Sequence, residues 1–91
     1  MQRHRDSLMQ VRLLLFAAHR EVVGRRELEV EVPEGVTAED LYRLVQEKQP
    51  ALASLRPYTT FAVNRQVVDP RSPLQPGDEV AFLQPVSGGL A

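Results

Sequence analysis

The 91-residue sequence has no cysteine, only two histidines, no excess of either charge, and no apolar run longer than the six residues Leu13 to Ala18. Without cysteine there is no disulfide staple and no thiol for redox, metal or covalent chemistry. Six apolar residues fall far short of the roughly 20 that a membrane-spanning helix requires. Eleven basic side chains against twelve acidic ones give a net charge of -1, so the chain lacks the field that tracks nucleic-acid phosphates. His4 and His19 supply no metal-ligand spacing, and no metal site is expected. His19, at a strand end, reads as a solvated loop residue. Ser7, Ser54, Ser72 and Ser87 have no histidine-carboxylate relay, so nucleophilic catalysis by this chain alone has no support. The adjacent pairs Glu39/Asp40 and Asp78/Glu79 point in different directions and suit caps and turns. Arg3, His4 and Arg5 ahead of the apolar run faintly mimic a signal peptide, but Gln10 and Arg12 interrupt it, and the expected location is cytoplasmic.

What is present describes one small domain, too short for a deep enclosed site. Residues 1–8 show no period and read as a disordered extension. From Met9, Val11, Leu13, Leu15 and Ala17 alternate with Gln10, Arg12, Leu14 and Phe16, which predicts a strand. A polar stretch from His19 to Arg26, with Gly24, then reads as a turn. Leu28, Val30 and Val32 alternate with Glu27, Glu29 and Glu31, as in an antiparallel partner with one wet face. Thr37 followed by Asp40 predicts a helix start, and Leu41, Leu44, Val45 and Lys48 share one helical face that ends before Pro50. Leu52 and Leu55 belong to a loop returning to the core. Phe61 to Val63, a turn at Asn64 and Arg65, and Gln66 to Val68 form a short hairpin. Pro70, Pro73 and Pro76 mark an irregular crossing, Pro76 and Gly77 suit a type II turn, and Glu79 to Leu83 is the last strand.

This order predicts a two-layer α+β domain over residues 9–83. With Val80 and Phe82 toward the helix, Ala81 and Leu83 face outward. If the first and last strands are neighbours, they join Leu14 and Phe16 in an exposed apolar patch. Residues 84–91 form a flexible tail: Pro85 stops sheet pairing, and Gln84 to Gly89 can reach roughly 20 Å. Gly88 and Gly89 lack Cβ atoms and can follow a narrow channel in a partner. Taken alone, such a dipeptide reads more readily as a frayed terminus.

The segments LLFAAHREVVG, PEGVTAEDL, FAVN and above all GDEVAFLQPVSGG resemble the family of small subunits of molybdopterin synthase, from Met9 to Gly89. The resemblance implies a β-grasp, ubiquitin-like fold and a sulfur carrier that is not an enzyme on its own. An E1-like enzyme using ATP would adenylate the carboxyl group of Gly89, and a sulfur donor would convert it to a thiocarboxylate. Bound to the large synthase subunit, the tail would then supply sulfur for the molybdenum cofactor precursor. No cofactor is expected on the chain itself. Gly88 and Gly89 carry over as the reactive tail, and Phe16 and Leu83 as docking positions. Leu14 and Ala81 join them by strand parity, with Pro85 and Val86 leading into the tail. Two departures stand out: Gln84 replaces the first of two prolines common in the family, and Leu90 and Ala91 follow Gly89. The resemblance therefore implies cleavage after Gly89 by a maturation protease. Carriers for tRNA thiolation, thiamin or cysteine synthesis share this tail chemistry, and a ubiquitin-like protein modifier is a further alternative.

Overall fold

The computed structural model describes residues 7–85. Strand β1 (Leu8–Leu15) buries Met9, Val11, Leu13 and Leu15 on one face and leaves Gln10 and Arg12 in water. Regular structure thus starts at Leu8, inside the stretch expected as an extension. The Ser7 carbonyl already accepts from the Glu34 amide at 3.2 Å. The stretch expected as a turn is instead a helix, α1 (Ala17–Val23), closed by Gly24 at φ 86°, whose amide donates to the Arg20 carbonyl at 2.7 Å. Glycine adopts this left-handed geometry without a Cβ clash. Ala17, at φ 47°, is no longer part of the strand.

Strand β2 (Glu27–Pro33) pairs antiparallel with β1 in the expected alternation. Helix α2 (Ala38–Lys48) opens on a capping box: the Thr37 hydroxyl accepts from the Asp40 amide, and the Asp40 carboxylate from the Thr37 amide, both at 3.0 Å. These bonds satisfy two of the donors that every helix start leaves open. Leu41 and Val45 are buried as the spacing predicts, together with Tyr42, whose hydroxyl donates to the Leu52 carbonyl at 2.7 Å. A short helix α3 (Leu52–Leu55) carries Leu52 into the core, followed by a single 3-10 turn at Arg56–Tyr58.

Strands β3 (Thr60–Val63) and β4 (Gln66–Val68) form the hairpin, with Asn64 at φ 52° and Arg65 at φ 73° as its turn. The Asn64 amide side chain donates to Asp78 and accepts from the Glu79 amide, each at 3.0 Å, which ties that turn to strand β5 (Glu79–Leu83). The five strands lie in the order β2-β1-β5-β3-β4, with β1 and β5 parallel at the centre and the other pairs antiparallel. This is the expected β-grasp arrangement.

The core lies between the helices and one sheet face. Tyr42, Phe61 and Phe82 pack there with ring centroids 4.7 to 5.8 Å apart. Arg56 covers this cluster, its guanidinium 4.9 Å from the Phe61 ring while it grips both carboxylate oxygens of Glu39. That hydrogen bonding holds the Glu39 carboxyl below its ordinary range and raises the arginine in turn.

Candidate functional site

The uncovered face of the sheet carries the apolar patch. Parallel pairing sets Leu14 opposite Ala81, and antiparallel pairing sets Ala81 opposite Ala62 and Ala62 opposite Val67. Directly opposed residues share a face, so these four form a row across β1, β5, β3 and β4. Two alanines in its middle leave a trough between Leu14 and Val67. With Phe16 and Leu83 at one end, the trough encloses about 340 Å³. Its other end is polar: Glu79 lies 3.8 Å from Arg65 and 3.8 Å from Arg12.

All four expected docking residues therefore meet on one surface. Phe16 is 48% exposed, and Leu14, Ala81 and Leu83 are half-buried. Ala62 and Val67 belong to the same surface and escape a reading of single strands. Only the order of the strands brings them beside β5, although the Asn-Arg turn already set Ala62 opposite Val67. Val67, at 71% exposed, is the most open apolar side chain of the trough. Large exposed apolar side chains in one contiguous patch mark an interaction surface.

Helix α1 supports this end of the sheet. Phe16 is its N-cap, and the Phe16 carbonyl accepts from the amides of His19 and Arg20 at 3.0 and 3.3 Å. His19, expected in solvent, is fully buried. Its ring packs edge-on against Tyr42 and Phe82, and Nε2 lies 2.8 Å from the Thr59 hydroxyl. That hydroxyl donates to the Leu55 carbonyl at 2.8 Å, so it accepts from an Nε2–H, and Nδ1 is the unprotonated nitrogen. Nδ1 has no hydrogen-bond partner among the described residues. Burial lowers the pKa of His19 and keeps the ring neutral.

Gln84 and Pro85 leave β5 exposed, and Pro85 has no amide hydrogen with which to continue the ladder. The tail thus departs beside Leu83 and Phe16, at the apolar end of the trough. Val86, Gly88, Gly89, Leu90 and Ala91 lie outside the described residues, as do residues 1–6. Among the described residues no group of three or more His, Asp or Glu side chains is placed to hold a metal ion, and no helix is long and apolar enough to cross a membrane.

The ThiS family matches residues 13–89. The molybdopterin synthase sulfur carrier subunit of Homo sapiens is 39% identical over 85 residues, spanning 90% of this chain and 97% of that protein. Molybdopterin converting factor subunit 1 from Pyrococcus furiosus shares the fold at TM-score 0.77 and 27% identity, over 86% of this chain and 99% of that one. Small archaeal modifier protein 1 of Haloferax volcanii gives TM-score 0.76 and 26% identity over 86% of this chain and 99% of that one. A family match across both the trough strands and the tail, on this sheet order, places the chain: it belongs to the ThiS family and, within it, to the molybdopterin synthase sulfur carrier subunits.

Proposed function

We propose that this protein is the sulfur carrier of molybdopterin synthesis, loaded at the carboxyl group of Gly89 and acting in the cytoplasm as the non-catalytic small subunit of the synthase. The observation that carries the reading is the family match, which runs through the last strand and ends on Gly89, leaving Leu90 and Ala91 beyond it. A carboxylate is a poor acyl donor because its leaving group would be oxide. Attack of that carboxylate on the α-phosphorus of ATP expels pyrophosphate and gives an acyl adenylate, from which AMP leaves readily when hydrosulfide released by a donor attacks the carbonyl carbon and gives up its proton. The product, a thiocarboxylate, is a soft nucleophile. With no cysteine in the chain, the terminus is the position where such a sulfur can be covalently held.

The reactive species is the chain whose last residue is Gly89, formed by hydrolysis of the Gly89–Leu90 bond by a maturation protease. Adenylating groups and ATP-binding residues belong to an E1-like partner, and the carrier itself binds no cofactor. The trough docks on the large synthase subunit, so that the tail, which starts at its apolar end, enters that subunit's site.

Intact-mass measurement of the protein recovered from its own cells tests this. The expected species ends at Gly89 and carries sulfur in place of one oxygen. Sulfur loaded on Ala91 of the uncut chain overturns the maturation step. The likeness to small archaeal modifier protein 1 favours a second reading, a protein modifier, which requires isopeptide bonds from Gly89 to lysines of other proteins. Their presence, with no sulfur at the terminus, replaces the carrier reading.

A further inference from the structure

A second surface lies at the β2 edge of the sheet, where Glu27 stands opposite Leu14 of the trough. Strand β2 is the last strand of the described sheet, so one side of its backbone has no ladder partner among the described residues. The register identifies which groups are open. Leu15 donates to the Arg26 carbonyl, and Glu34 donates to the Ser7 carbonyl, at the two ends of the β1–β2 ladder. Bonded pairs alternate along an antiparallel ladder, which makes 28, 30 and 32 the residues bonded to β1. The amides and carbonyls of Glu27, Glu29 and Glu31 therefore point outward.

The two faces beside that edge differ in chemistry. On the helix side, half-buried Val23, Leu28, Val30 and Leu44 line a groove of about 380 Å³ between β2 and α2, with Lys48 and Glu47 on its rim. On the other side stand the exposed side chains of Glu27, Glu29 and Glu31. Arg12 is shared among Glu27 at 3.4 Å, Glu29 at 4.0 Å and Glu79 at 3.8 Å. Glu31 has no cation within 4.0 Å among the described residues.

We propose that this edge and groove take an extended peptide segment of a partner protein whose residues alternate apolar and basic, added to the sheet as a strand beside β2. Residues of an added strand share the face of those directly opposite them. Those opposite Leu28 and Val30 enter the groove and must be apolar, while those opposite Glu29 and Glu31 meet carboxylates and must be basic. Main-chain hydrogen bonds give such strand addition its affinity, and the alternating pockets give it specificity. A second copy of this chain is a poor occupant. Antiparallel self-pairing of β2 sets glutamate against glutamate, and like charges directly opposed are destabilising.

The test is an NMR titration of the full chain with a short, end-blocked peptide of alternating lysine and valine. A peptide of the same composition, scrambled so that alternation is lost, is the control. The expected result is selective shifting and slowed exchange of the Glu27, Glu29 and Glu31 amides with the alternating peptide only. The charge-reversed E29K/E31K variant, altered at exposed positions, should bind about tenfold more weakly. No shifts at those amides, shifts confined to Leu14, Ala81 and Leu83, or equal binding of the scrambled peptide overturns the proposal. None of these readings depends on the tail, so the outcome is separate from that of sulfur loading.

Discussion

Neighbouring residues of the two central strands meet opposite environments. Leu13 and Leu15 of β1, and Val80 and Phe82 of β5, are at most 1% exposed against the helices. Leu14, Ala81 and Leu83, one residue away on the same strands, stay half-open on the bare face. Both faces are apolar, yet only one has a layer packed over it. An apolar residue on the covered face contributes to folding, whereas its neighbour on the bare face contributes little to it. Substitutions one position apart should therefore separate stability from docking.

The largest effect is expected from Phe82→Ala, which removes a ring packed against Tyr42 and Phe61 and should cost about 3–5 kcal/mol of stability by denaturant titration. One residue further on, Leu83→Asp should leave stability within about 0.5 kcal/mol and weaken binding to the large synthase subunit about a hundredfold, near 2.7 kcal/mol by calorimetry. Phe16→Asp should behave like Leu83→Asp. Binding unchanged in both variants removes the trough as the docking face, and a collapse of stability in both removes the contrast between faces.

Arg56→Ala sharpens the covered side. It removes the grip on Glu39 and the contact over Phe61, and about 1–2 kcal/mol of stability should go with it. Because the folded Glu39 carboxyl titrates below its ordinary 4.5, its contribution is present above that value and is lost as pH falls through the lower folded one. Melting curves taken through this acid window should therefore be flatter for Arg56→Ala. The smallest effect belongs to His19. Its folded pKa lies below 6.5 because burial disfavours the cation, so below 6.5 the unfolded chain takes up a proton that the folded one refuses. Stability is full above that value and declines as pH falls toward the folded pKa. In His19→Gln, which keeps a donor for Thr59, the decline in this window should disappear.

Much of the architecture was legible because short-range signals and tertiary demands agree. Thr37 and Asp40, Asn64 and Arg65, and Pro76 and Gly77 each specify a local geometry that the packed domain retains. The alternation in β1 and β5 also predicts outward faces for Leu14 and Phe16 and for Ala81 and Leu83, and the β1–β5 pairing joins them into one. Helix α1 was hidden because its only fully buried residue is a histidine. Such burial depends on Thr59, 40 residues away, and no local pattern reports that partner. The burial of Tyr42 has no local signal for the same reason, since its hydroxyl is satisfied by the backbone of Leu52. The trough gained Ala62 and Val67 through the adjacency of β3 to β5, a property of topology rather than of any one segment.

The central position of β5 also bears on the order of synthesis. Among the described residues, the last strand in chain order fills the middle of the sheet and joins the β2-β1 pair to the β3-β4 pair. Until it has left the ribosome, the two strand pairs have no sheet between them. A chain whose tail is rooted in β5 has therefore already closed its sheet, and any protein that gripped both the sheet and the tail would select for finished molecules. A pull along the tail would meet β5 bonded on both sides, so the root resists by shear across two ladders at once rather than by unzipping from an edge.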